Sequence, residues 1–134
     1  MADSLDLIVV TPERQLVHEQ VGEVQLPGKD GYMGILPGHA PLLSELRTGV
    51  LTYLLAGRSH TLAVHGGFLE VLEDHVRVLA DAAERAEEIN VERARAAQTR
   101  AQQQVNNPEG AATAAAALER ARTRIAVAEQ KPSS

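Results

Sequence analysis

Gly34-Ile35-Leu36-Pro37-Gly38-His39-Ala40-Pro41-Leu42 sets the class of fold in this chain. Two prolines and two glycines close on one histidine, with apolar residues on both sides. Proline fixes φ and removes a backbone donor, and glycine permits φ > 0. The stretch therefore reads as a stiff, presented loop between two strands, a shape on which a partner can dock. Strand-like runs extend outward from it. Leu5-Asp6-Leu7-Ile8-Val9-Val10 lies upstream, as does Val21-Gly22-Glu23-Val24-Gln25-Leu26, which stops at Pro27-Gly28. Downstream come Val50–Leu55, Thr61–Val64, Phe68–Leu72 and Val76–Ala80. Turn signals every eight to twelve residues are the spacing of an antiparallel sandwich or barrel. No helix of useful length intervenes before Ala80, which argues against a parallel sheet.

The character changes near residue 81. Nine of the ten glycines lie in residues 22–67, and all three aromatics (Tyr32, Tyr53, Phe68) precede residue 69. Residues 82–134 hold sixteen alanines and seven arginines instead. Residues 1–81 carry five basic and eleven acidic side chains, net −6, whereas residues 82–134 carry eight and seven, net +1. A total of −5 with so few aromatics opposes nucleic-acid binding and base stacking. No run of eighteen apolar residues suits a membrane span, and Asp3, Asp6 and Glu13 oppose a secretory leader. With no cysteine there is no disulfide framework and no thiolate chemistry. The expectation is a cytosolic protein, or one resting on a membrane complex from the cytosolic side.

The second half predicts two helices. Asn90 is a good N-cap for a run from Val91 to Val105, Asn106–Gly110 is a turn, and Ala111–Glu129 is helical again before Lys131-Pro132. Apolar stripes at Val91, Ala94, Ala97, Ala101, Val105 and at Ala114, Ala117 or Leu118, Ala121, Ile125, Ala128 suit one buried face each. The seam is mostly alanine. A buried methyl is worth roughly 0.8 kcal/mol, against ~1.5–3 for a whole Leu or Ile. Ordering a residue costs about 1–2 kcal/mol. The hairpin is expected to close tightly but weakly, so that it can leave the sandwich at low cost.

Catalytic motifs do not emerge. There is no phosphate-binding glycine loop, no Gly-x-Ser-x-Gly and no metal spacing among His18, His39, His60, His65 and His75. The His39 imidazole is read as bonded to backbone, the loop around it as an interface. His65-Gly66-Gly67 reads as a bulge, a close approach of another backbone, or a hairpin turn. Arg120, Arg122 and Arg124 exceed what nearby Glu119 neutralises, which suits an acidic protein surface or a phosphate.

The chain resembles the epsilon subunits of F-type ATP synthases along its length. The resemblance rests on Leu7-Ile8-Val9-Val10-Thr11-Pro12-Glu13-Arg14, on Gly34–Leu43, on Gly66-Gly67-Phe68-Leu69-Glu70-Val71 and on Val78–Glu84. It implies an α+β architecture. Residues 1–84 would form an antiparallel β-sandwich of about ten short strands, docking on the gamma subunit and the ring of c subunits. Residues 88–131 would form a mobile, antiparallel α-helical hairpin. Tyr32, Met33, Gly34, Pro37, Gly38 and His39 would lie toward the ring. Arg120, Arg122 and Arg124 would meet an acidic surface of the alpha/beta catalytic subunits when the hairpin extends and blocks ATP hydrolysis. Some members bind regulatory ATP through Ile/Leu-Asp-x-x-Arg-Ala. Here Ile89, Arg93 and Ala94 match, with Glu84 and Arg100 at supporting positions, while Asn90 keeps the cap and loses the carboxylate. No other cofactor, metal or catalytic residue is expected.

Two functions follow from this reading. The first is a non-catalytic rotor subunit, peripheral on the cytoplasmic face of the inner membrane, coupling proton flow to ATP synthesis and restraining hydrolysis. The alternative is an ATP-sensing nucleotide-binding module. A sandwich hydrolase has no nucleophile, metal cluster or aromatic groove to support it.

Overall fold

A computed structural model describes residues 3–130. Met1, Ala2 and Lys131, to which the hairpin was expected to run, lie outside the described residues. Eight strands are followed by two helices. The strands are β1 Leu5–Val10, β2 Gln15–Val21, β3 Glu23–Gly28, β4 Gly31–Ile35, β5 Leu42–Leu55, β6 Arg58–Leu72, β7 His75–Ala80 and β8 Ala83–Arg85. A 3-10 turn at Ala86–Glu88 leads to α1, Val91–Gln104, and α2, Ala111–Glu129.

The sheet order is β2-β1-β7-β6-β5-β3-β4, with β8 also paired to β6. It folds over a core that includes Leu5, Leu7 and Val9 of β1, Val24 and Leu26 of β3, Leu51 of β5, Leu62 and Leu69 of β6, and Val76 and Val78 of β7. Strict alternation explains this. In β1 the odd positions are buried and the even ones half-buried; in β7 the even positions are buried and the odd ones exposed.

The architecture is the expected sandwich followed by a helical hairpin, but the strands are fewer and two are longer. Eight strands are described where about ten short ones were expected. The run Thr61–Leu72 is one bent strand, not two. Its bend is at Gly66 and Gly67, with φ of 76° and 124°. A Cβ on Gly67 would run into the Leu79 carbonyl and lie 2.9 Å from the Ala80 Cα. The glycine pair thus marks close backbone approach inside a continuous ladder. Beyond the bend β6 exchanges neighbours, pairing with β7 over Gly67–Leu72 and with β8 over Leu62–Val64.

The all-antiparallel expectation also needs correction. β1 runs parallel to β7, from Asp6 beside His75 to Val10 beside Leu79. The crossover between them is the rest of the sheet, so no helix is required. Pro27 does not end β3. It lies inside the strand, where the register to β5 shifts between Gln25 and Gly28, and this irregularity accommodates the missing N–H.

The helices begin as the sequence indicates. The Asn90 side chain accepts the Arg93 N–H at 3.0 Å, closing the N-cap of α1. Gly110, at φ 83°, precedes α2 and offers no side-chain cap. The buried seam residues are Ala94 and Ala101 on α1 and Ala114, Leu118 and Ala121 on α2. Thr123 and Val127 are buried too, which the stripe reading missed. They lie on the side of α2 that carries Arg120 and Arg124, and α2 packs on β5 and β6 as well as on α1. One apolar stripe cannot serve two partners.

Candidate functional site

Beside the buried Thr123 and Val127, polar contacts that converge on Glu84 join the hairpin to the sandwich. Arg124 Nε of α2 donates to Glu84 Oε1 at 2.7 Å, and His65 Nε2 lies 3.0 Å from the same oxygen. His65 comes from β6 just before the bend, with its side chain only 4% exposed. Its N–H donates to the Ala82 carbonyl as the chain passes from β7 to β8. Burial pushes the Glu84 carboxyl up, but hydrogen bonds from Arg124 and His65 outweigh it and hold the group below the usual range. Burial pushes the His65 imidazole down, against the opposing pull of Glu84 and with the help of Arg124 and Arg120. A second link, Arg47 of β5 to Glu119 of α2 at 3.8 Å, is exposed and therefore weak.

The connection between the two parts is pinned separately. Arg14, in the β1–β2 turn, forks onto Glu88 with one bond of 2.9 Å. Glu88 also accepts the Arg85 N–H at 2.8 Å. These bonds hold its carboxyl at about 2. Arg85 in turn donates to the Leu16 carbonyl at 2.7 Å.

Two surfaces of the sandwich are presented outward. On the outer face the pairing aligns Val10 with Leu79 and Leu79 with Phe68, and next to them Ile8–Arg77–Glu70–Leu43. Leu43 is 74% exposed, Leu79 56% and Phe68 54%. Single exposed apolar side chains are ordinary, but Val10, Leu79 and Phe68 stand side by side across three strands, and an aligned apolar row of this kind suits an interface. Sequence reading missed it because alternation shows two faces and does not tell which unpaired face is covered; the runs Leu42-Leu43 and Phe68-Leu69 were the available signal.

The other surface is the proline-bounded loop. The Gly38 N–H donates to Asp74 Oδ1 at 2.7 Å, tying the loop to the β6–β7 turn. The His39 N–H donates to the Leu36 carbonyl at 3.1 Å, and its Nδ1 lies 2.6 Å from the Ala40 carbonyl. The imidazole is thus spent on the turn, as its reading from the sequence expects. Tyr32 is exposed, and its hydroxyl accepts the Val50 N–H at 2.9 Å. Met33 turns the other way and packs against the core. Gly34 and Gly38 are exposed, Pro37 and His39 half-buried.

The remaining sequence candidates divide. Arg93 and Arg100, seven apart on α1, are exposed and make no ion pair among the described residues. Ala94 is buried in the helix seam and Ile89 is half-buried. Asn90 is occupied as the cap, and Glu84 by Arg124 and His65. Of the arginine trio only Arg122 faces out. Arg120 and Arg124 are half-buried on the sandwich side. Among the described residues no group of acids and histidines could hold a metal ion, and no helix is long and apolar enough to cross a membrane.

Comparison with known proteins gives matches over almost the whole chain. Residues 4–86 match the model for the beta-sandwich domain of the ATP synthase delta/epsilon chain, and residues 87–129 the model for its long alpha-helix domain. The chain is 58% identical to the ATP synthase epsilon chain of Solibacter usitatus, over 98% of this chain and 100% of the relative. It is 46% identical to that of Nitratidesulfovibrio vulgaris, over 95% and 97%. Its fold is similar to a chain in the Euglena gracilis mitochondrial ATP synthase, with a TM-score of 0.83, 24% identity, and coverage of 94% of this chain and 82% of that one.

Proposed function

Because the chain belongs to the ATP synthase epsilon chain family, whose members are stalk subunits and not catalytic ones, we propose how its two parts divide the work of a rotor subunit. The sandwich, residues 1–84, docks. Its outer apolar row around Leu79 and Phe68 suits the gamma subunit, and the Asp74-braced loop with Tyr32 and Gly34 through His39 faces the ring of c subunits. Within that segment Met33 supports the surface from inside. The hairpin, residues 88–131, regulates. It rests on the sandwich and, when released, extends toward the alpha and beta catalytic subunits and restrains ATP hydrolysis. The subunit thereby sits peripherally on the cytoplasmic face of the inner membrane and helps couple proton flow to ATP synthesis.

One observation carries the regulatory half. The hairpin's interior is alanine-rich, and it meets the sandwich through two side-chain ion pairs and a small buried patch at Thr123 and Val127. Such an element can have two packings separated by a few kcal/mol. Arg120 and Arg124 support the same reading: they face the sandwich when docked and become available to an acidic surface on release. The test is removal of residues 88–134 from the assembled enzyme. ATP hydrolysis should rise while assembly persists; unchanged hydrolysis would remove the regulatory role.

A second reading, regulatory ATP on the hairpin, is supported by Arg93 and Arg100, which are free of acidic partners among the described residues. Asn90 in place of the motif's aspartate, and Glu84 held by Arg124, weigh against it. Calorimetry with Mg-ATP, with Arg93→Ala as control, decides it; no heat at millimolar ATP would sink it.

A further inference from the structure

We infer that His65 is a proton-operated latch: the neutral imidazole is compatible with the docked hairpin, and a proton bound there releases α2 from the sandwich. This rests on the reading that the hairpin moves.

Glu84 is ionised and accepts from both Arg124 Nε and His65 Nε2 at one oxygen. Nε2 therefore carries the hydrogen, and neutral His65 leaves Nδ1 bare. Nδ1 is buried with no hydrogen-bond partner. A proton can arrive only there. It would create a buried N–H without an acceptor, which is costly. It would also place a second cation against an oxygen already taken by Arg124.

The charges facing the ring are Glu84 from β8 and Arg120 and Arg124 from α2. On β5 the residue opposite is Thr48, which does not titrate. Docked, a protonated ring would make three cations around one carboxylate. When α2 leaves, both arginines leave with it, the ring meets water, and Glu84 remains to pair with the imidazolium. The proton is held more tightly in the released state, so by linkage it favours release.

The direction agrees with the burial effect, which pushes the docked imidazole below its ordinary value of about 6.5. A group with a lowered pKa in the docked state stabilises docking fully above the released-state value. That contribution is lost as pH falls toward the docked value. For one proton the released-to-docked ratio rises by up to about tenfold per pH unit across this window.

The chain has no cysteine, so Thr123→Cys in the full chain places a single thiol under α2. Labelling rates, normalised at each pH to a free thiol peptide, report opening. With histidine present the normalised rate should climb as pH falls from about 7.5 to about 5.5. His65→Gln can still donate to Glu84 and cannot titrate, so its profile should be flat. Arg124→Gln should raise labelling at every pH. A flat profile with histidine present, or an equally steep one in His65→Gln, overturns the latch; raised labelling in Arg124→Gln would then leave the mobile hairpin standing. No labelling in any variant overturns both. Should His65→Gln not fold, the imidazole nitrogen shifts of the unaltered chain decide: a midpoint below about 6.5 supports the latch, and one at or above it overturns it.

Discussion

Leu118→Ala tests whether the hairpin is a separable element. Leu118 is the one leucine in a helix seam otherwise lined by Ala94, Ala101, Ala114 and Ala121. The substitution removes three carbons, about 2.4 kcal/mol at ~0.8 kcal/mol each. The void adds to this, although a seam near the surface collapses more readily than a closed core, so about 2.5–3.5 kcal/mol is expected in all. Two signals separate the parts. Helix dichroism reports α1 and α2. Tyrosine fluorescence reports the sandwich, because Tyr32 and Tyr53 are the only tyrosines and there is no tryptophan. On heating, helical signal should be lost well before that of the parent chain, with the tyrosine transition unmoved. If the two parts melt as one unit, both signals will shift together by roughly 10 °C. That result would refute a weakly attached hairpin.

Four further outcomes are expected. Gly67→Ala must place a methyl against the Leu79 carbonyl at a φ of 124°, and should cost the sandwich more than about 3 kcal/mol in urea unfolding. Gly38→Ala, at φ 88° with open space around it, should cost only about 1–2 kcal/mol. The Glu88 carboxyl should titrate near about 2 by NMR and return toward the ordinary range in Arg14→Ala. Because its pKa is depressed, its stabilising contribution is present above about 4.5 and declines as pH falls toward 2. Asn90→Ala should remove about 1 kcal/mol of helix stability, measured by helix dichroism, while Asn90→Asp keeps the cap.

Local chemistry was the part of the fold legible in the sequence. Alternation located β1 and β7, and Asn90 and Gly110 bracketed the helices, because each signal is carried by neighbouring residues. Long-range pairing was not legible. That Gly66-Gly67 bends one strand rather than ending two depends on the Leu79 backbone, remote in sequence. Thr123 and Val127 read as off-stripe because the stripe addresses α1, and burial against β5 and β6 is a second demand on the same helix. His65 looked like a turn residue for the same reason. Its meaning comes from Glu84 on β8 and Arg124 on α2, which the chain assembles around it only after the bend and the hairpin are made.

For the proposed release, the placement of the linker bonds decides where the hairpin would turn. Glu88 is tied to Arg14 and to the Arg85 backbone, and Arg85 reaches the Leu16 carbonyl, so the chain is fixed to the sandwich through residue 88. From Asn90 onward it is fixed by the cap to α1. Ile89 and Asn90 both have extended backbone, and the Ile89 N–H donates only to the Ala86 carbonyl, behind it. The proposed swing therefore falls between the 3-10 turn and the helix, where the extended backbone of Ile89 and Asn90 joins two separately bonded segments. A hairpin swinging there keeps β8, and hence Glu84, in the sandwich while carrying Arg120 and Arg124 away. In the proposed release this asymmetry is what would break the ion pair. Were the hinge upstream of β8, Glu84 would travel with Arg124, their bond would survive release, and neither His65 nor any competing charge could sense the state of the hairpin.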